Sequence, residues 1–271
     1  MRPLWFIELL KANFGRRFAL AKASRLPLIG ALMDRMLFED DDLIYLPKDS
    51  VVQVEVNRQV DPPINTALPS QVVHHFIDVA EVHWVMNFCI CRESNKCEDY
   101  PRDLGCLFMG EAASRIDPRL GRLVTREEAH AHVRRADEAG LVHVIGRNKL
   151  DSVWLDAWPT GRLLTVCNCC PCCCLWRMLP SLAEGIGVKV TKMEGVELSV
   201  GPGCVGCGSC QKACFVDAIE LRDGKAVIGG NCRGCGRCVE ACPNHAITMT
   251  IPGLTEVEDT IKRIEGSVDV R

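Results

Sequence analysis

The chain has 271 residues, 48% of them apolar and 25% charged, with a formal net charge of −3, which leaves room for one large or two small domains. That balance excludes a strongly basic nucleic-acid binder and an acidic disordered tail, so no nucleic-acid partner is expected. Eighteen cysteines are too sparse for a small disulfide scaffold and far above ordinary use, and they fall into three groups: 89–106, 167–174 and 204–242.

Residues 1–38 carry seven Lys/Arg against two Asp/Glu and are followed by Glu39, Asp40, Asp41 and Asp42. Residues 1–42 read as a basic amphipathic helical arm that either packs on its own domain or docks on an anionic membrane or a partner protein. Arg16-Arg17-Phe18 only faintly resembles a twin-arginine signal, because Lys22 and Arg25 break the apolar run after it. With no secretory leader pattern and no stretch of 18 apolar residues, a cytoplasmic location is expected, with thiols reduced or metal-bound.

Residues 43–198 read as an α+β domain. Leu43–Val60 alternates as a strand, with Val52, Val54 and Val56 on one face, until Asp61-Pro62-Pro63. Ser70 is placed to cap a helix through Val72, Val73, Phe76, Ile77 and Ala80, and His74, His75 and His83 beside it read as structural. Thr125 and Glu128 form a capping box for a helix over Arg126–Ala139, which Gly140 ends. Short strands are expected at Leu141–Ile145, Arg162–Val166, Val188–Val190 and Val196–Val200.

This stretch holds ten cysteines. Cys89, Cys91, Cys97 and Cys106, with Arg92, Lys96 and Arg102 among them, could hold a third iron-sulfur cluster or a structural zinc, or remain free or as a redox disulfide. Cys167, Cys169, Cys170, Cys172, Cys173 and Cys174 cannot all reach one metal from a strand, whose side chains alternate in direction. Two or three of them could join Cys91 or Cys106.

From residue 199 to 251 the pattern changes. Cys204-x2-Cys207-x2-Cys210-x3-Cys214 recurs 28 residues on as Cys232-x2-Cys235-x2-Cys238-x3-Cys242-Pro243, and Ala218 and Ile219 recur as Ala246 and Ile247. Three thiolates spaced this way can wrap three corners of a four-iron cube, while the fourth reaches across the repeat to the other cube. One cluster is expected on Cys204, Cys207, Cys210 and Cys242, the other on Cys232, Cys235, Cys238 and Cys214. Zinc ribbons do not account for the third and fourth cysteine of each run.

These runs resemble bacterial-type ferredoxins with two [4Fe-4S] clusters, over residues 199–251, and the resemblance implies a ferredoxin-like domain with a pseudo-two-fold repeat. Phe215 departs from it, standing where Pro243 stands in the second run. The module's own side chains sum to +1, five Lys/Arg against four Asp/Glu, which fits packing against a larger domain better than free diffusion. Residues 252–271 read as a C-terminal tail. Cys89-Ile90-Cys91-Arg92, Gly105-Cys106-Leu107, Ala139-Gly140-Leu141-Val142-His143 and the 167–174 string together resemble a mostly uncharacterised group of ferredoxin-containing proteins of anaerobes.

The functional expectation is an electron-transfer protein with an unidentified redox partner. Its rivals are a reductase with an unusual cluster among the ten N-terminal cysteines, and a redox or metal sensor. No P-loop lysine motif and no Gly-x-Gly-x-x-Gly turn occurs in the sequence.

Overall fold

The computed structural model describes residues 2–51, 68–250 and 253–271, and a mixed seven-stranded sheet forms its centre. The strands are β1 (Asp42–Tyr45), β2 (His83–Met86), β3 (Leu107–Met109), β4 (Gly121–Leu123), β5 (Val142–Arg147), β6 (Leu164–Cys169) and β7 (Val190–Lys192). Their spatial order is β4-β2-β3-β6-β5-β1-β7, antiparallel at every step except β1 with β7.

Alternation along each strand divides the sheet's residues between two cores. Ile44, Ile145, Leu164, Val166, Leu107, Met109 and Val85 point to one face. There they meet α4 (Ser70–Val79), α6 (Arg126–Glu138) and α11 (Leu254–Glu265) through Val72, Val73, Phe76, Ile77, Ala129, Val133, Val257 and Ile264. Leu43, Tyr45, Val142, Val144 and Cys169 point the other way, toward Trp176, Phe215 and Val216. Trp84, Met86 and Phe108 continue that second face beneath Ile7 of α1 (Leu4–Asn13). The arm continues as α2 (Arg17–Ala23) and α3 (Pro27–Met33).

Several expectations change. The strand expected over Leu43–Val60 ends at Tyr45: Pro47 has no N–H to give the sheet, and Lys48 N–H turns to the carbonyl of Cys235 at 3.3 Å. The alternating valines 52, 54 and 56 lie outside the described residues. Ser70 does not cap α4. Asp49 takes both its N–H (3.1 Å) and its hydroxyl (2.5 Å), because a carboxylate accepts two donors where a serine oxygen could serve one. The strand expected at Val188–Val190 begins at Val190, after a short helix α8 (Glu184–Gly187). The expected C-terminal tail is instead α11, whose apolar side chains Val257, Ile264 and the following Val268 and Val270 complete the first core. The Thr125–Glu128 capping box is present in both directions, at 2.9 and 3.2 Å.

The C-terminal module consists of two strand pairs and two short helices. β8 (Leu198–Val200) pairs with β11 (Ile247–Met249), and β9 (Ile219–Arg222) with β10 (Lys225–Ile228). The helices α9 (Ser209–Ala213) and α10 (Arg237–Glu240) each follow a glycine in the left-handed region, Gly208 at φ 77° and Gly236 at φ 82°. A side chain is disfavoured at that φ, which explains a glycine at the same place in each repeat. Asp217 and His245 repeat the conformation, at φ 49° and 47°. The +28 periodicity is therefore a property of the backbone as well as of the cysteines. Among the described residues no helix is long and apolar enough to cross a membrane.

One buried carboxyl links the arm's end to the sheet. Asp41 accepts the backbone N–H of Lys149 at 2.6 Å, but its Oδ2 has no partner, and burial pushes its pKa up to about 7. Because the folded-state pKa lies above the unfolded value near 3.9, this group's contribution is intact below about pH 4 and is lost as pH rises toward 7. Asp41→Asn keeps the carbonyl acceptor and removes the penalty. It should raise the melting temperature more at pH 8, by an amount corresponding to roughly 2–4 kcal/mol, than at pH 5. An equal shift at both pH values would show that Asp41 is ionised without cost.

Candidate metal centres

The C-terminal module encloses two recesses. The first is lined by Cys204, Cys207, Cys210 and Cys242 with Val205, Leu221 and Ile247. The second is lined by Cys214, Cys232, Cys235 and Cys238 with Phe215, Val216 and Ile219. Each run thus sends three cysteines to its own recess and one across to the other, the crossover expected from the sequence.

The sulfurs are prepared as acceptors. Ala226 N–H donates to Cys204 Sγ at 3.4 Å and Ala246 N–H to Cys242 Sγ at 3.3 Å; in the other recess Ala218 N–H donates to Cys214 at 3.2 Å and Gly234 N–H to Cys232 at 3.4 Å. Backbone donors stabilise sulfur as the anion, the form that ligates iron. Burial acts the other way, pushing Cys235 up to about 11 and Cys238 higher still, so a bound cation is needed to hold both as thiolates. Apolar walls, anionic acceptors and four thiols per recess fit two [4Fe-4S] clusters.

The two recesses differ in surroundings. Cys207 is exposed and Val205 beside it is 68% exposed, so the first recess opens to solvent. The second packs on the N-terminal domain. The ring of Phe215 lies 5.1 Å from that of Tyr45, Arg237 donates to the Cys169 carbonyl at 2.8 Å, and Arg233 reaches the Gly187 carbonyl at 3.3 Å. Phe215, the residue that departs from the ferredoxin pattern, is therefore buried in the joint between the two parts, where a proline ring would offer less contact.

The ten N-terminal cysteines are all free thiols. Cys97, Cys170, Cys172 and Cys173 have all their sulfurs within 4.8 Å of one another, with Cys97 and Cys172 at 3.5 Å. Zn–S bonds of about 2.3 Å in a tetrahedron place sulfurs roughly 3.8 Å apart, so this group has the span of a single ion rather than of a four-iron cube. The Cys173 N–H donates to Cys170 Sγ at 3.3 Å. The partner of the 167–174 string in this group is Cys97, while Cys106 lies against Cys167, Sγ to Sγ 3.7 Å. Sequence spacing could not select it, because α5 (Ile90–Ser94) and the turn after it carry Cys97 away from Cys91.

The structure also marks residues that the cysteine spacing does not. Arg92 is fully buried and donates to the carbonyls of Pro101 (2.7 Å), Asn168 (2.7 Å) and Leu104. Its neighbours Lys96 and Arg102 lie outside, Arg102 pairing with Glu93. Asn168 alternates away from Cys167 and Cys169, and is held by His143 (2.9 Å) and the Gly105 carbonyl (2.8 Å). His74, His75 and His83 pair with His130, Glu265 and the Ile77 carbonyl, as structural histidines do.

Residues 203–247 match the family model described as a 4Fe-4S dicluster domain, and the fold and paired recesses define this part of the chain as that class of module. The dicluster domain implies two [4Fe-4S] clusters. No curated protein and no solved structure matches the chain, so the module is the extent of what comparison identifies.

Proposed function

We propose that the protein relays single electrons through two [4Fe-4S] clusters to and from a redox partner protein, with Cys204, Cys207, Cys210 and Cys242 holding one cluster and Cys214, Cys232, Cys235 and Cys238 the other. The observation that carries this reading is the pairing of each set of four sulfurs around its own recess, in a backbone that repeats at +28. Clusters bound by four thiolates supply one-electron chemistry with no open position for a substrate. The chain's own groups tune it: backbone N–H donors offset sulfur charge, and Arg237 and Arg233 place positive charge beside the inner set. The solvent-facing recess at Cys207 and Val205 is the port for the partner, and the inner recess faces the N-terminal thiols. The cysteine set 97, 170, 172 and 173 serves as a single-ion site that ties α5 to β6.

Anaerobically purified protein is expected to contain about eight iron and eight sulfide from this module, and to show two interacting paramagnets on reduction. Iron below about four with stoichiometric zinc would defeat the reading. The reductase alternative draws its support from the six remaining thiols, three of them buried and three partly buried.

A further inference from the structure

The single-ion group leaves Cys89, Cys91, Cys106, Cys167, Cys169 and Cys174. They converge from the start of α5, the residue before β3, one face of β6 and the turn that follows it. Sγ of Cys106 and Cys167 are 3.7 Å apart and those of Cys169 and Cys174 3.2 Å.

Besides Arg237, which donates to the Cys169 carbonyl, two buried cations lie beside this group without a carboxylate partner among the described residues. The Arg92 guanidinium is 0% exposed, rests only on neutral carbonyls, and faces Cys89, Cys169, Cys106 and also Cys170. Arg17 comes from the arm, 7% exposed, its guanidinium between the rings of Phe14 and Phe18 at 4.3 and 4.4 Å. Cys91, Cys174 and Cys173 favour its charge while burial and Arg177 oppose it, and its Nε has no hydrogen-bond partner. Neutral thiols would leave both charges uncompensated in the interior, whereas metal-bound thiolates supply the missing anion.

We propose that these six thiolates hold a polynuclear iron–sulfide centre, distinct from the dicluster and from the four-thiol site, with Arg92 and Arg17 balancing its charge. The choice of iron over zinc rests on the electron-relay reading. Cys169 and Cys174 share a packed cluster with Tyr45 and Phe215, and Cys214, Cys232 and Cys235 of the inner recess pack against the same cluster. The Tyr45 hydroxyl lies 3.8 Å from Cys174 Sγ. A redox-active centre at this place continues the line of clusters inward.

The test measures iron, sulfide and zinc per chain on the full-length protein purified anaerobically, with Mössbauer spectra. Wild type is expected to hold iron well beyond the eight of the dicluster, in a spectral component absent from plain four-iron cubes. Cys167→Ser/Cys169→Ser should remove that excess and leave the dicluster signals, and Cys170→Ser/Cys173→Ser should remove one ion and leave the excess. Wild-type iron that stops at about eight, or zinc in place of the excess, overturns the proposal without any variant having to fold. One double variant that empties both groups would show a single site and also overturn it. Failure of the relay reading is separate: the two interacting paramagnets would be missing from wild type whatever its excess iron.

A different observation concerns the surface of the arm. Leu4, Trp5, Leu9, Leu20, Leu26, Leu28, Ile29, Leu32 and Met36 are all exposed, Trp5 at 67% and Leu28 at 88%, beside exposed Arg16, Lys22, Arg25 and Arg35. We infer that this segment lies on an anionic lipid surface, since exposed leucines among basic side chains match the acyl boundary and the headgroup charge together. The intact protein should float with phosphatidylglycerol vesicles and at least tenfold less with phosphatidylcholine vesicles. Leu28→Glu/Leu32→Glu should abolish flotation while iron content stays unchanged. No binding to phosphatidylglycerol, as expected for a protein-docking arm, or binding unaffected by the double substitution, overturns the inference.

Discussion

Cys238→Ser is expected to remove about four iron and four sulfide per chain and to leave a single, uncoupled paramagnet on reduction. Cys238 is 7% exposed and sits on α10 against the inner recess. A serine hydroxyl there would have to ionise in apolar surroundings that already push the native thiol upward. Cys214→Ser should reproduce this effect, although Cys214 belongs to the first run in sequence, because it lines the same recess. Cys210→Ser should instead remove the outer cluster. If Cys214→Ser behaved like Cys210→Ser, the crossed ligand sets would be wrong. Because the inner cluster's binding energy contributes to folding, Cys238→Ser should also loosen the joint at Tyr45 and Phe215, read as faster proteolysis between the two parts.

The second large effect is expected at Arg92. Removing one partner of a buried, compensated charge costs about 3–5 kcal/mol. Arg92→Met should therefore speed loss of the N-terminal metal by about 100-fold or more at a fixed temperature, since each 1.4 kcal/mol is about tenfold. It also leaves three carbonyls, on Pro101, Asn168 and Leu104, without their donor. Arg92→Lys separates the two contributions: it keeps the charge but cannot reach three carbonyls with one ammonium. Metal retention by Arg92→Lys with loss in Arg92→Met would assign the effect to charge. Equal retention in both would show that Arg92 does not balance the thiolates. The measurement is iron released against time, followed by a chelator, for the three proteins side by side.

Much of the dicluster module was legible because its ligands are local. Three of every four sulfurs lie within seven residues, the turn glycines stand beside them, and the same spacing occurs twice. The N-terminal thiols were not legible in the same way. Cys97 meets Cys170, Cys172 and Cys173, and Cys106 meets Cys167, only because β3 and β6 are antiparallel neighbours with Leu107 opposite Val166. A register slip of one residue would send Cys167 and Cys169 to the opposite core. The strand expectation failed over residues 46–51 for a related reason: alternation states which residues share a face and is silent on where pairing stops.

The sequence by itself determined that a module for two four-iron clusters lies within residues 199–251 and that the remaining ten thiols fall into two separate groups. Tertiary structure decided which of those ten sulfurs act together, that Phe215 seats the module on the sheet, and that Arg17 and Arg92, but not Lys96 or Arg102, lie buried among the thiols. The physical reason is range. Cysteine spacing encodes contacts closed by a single turn, whereas a ligand set or a counter-charge assembled from separate elements exists only once strand order and register bring its members together.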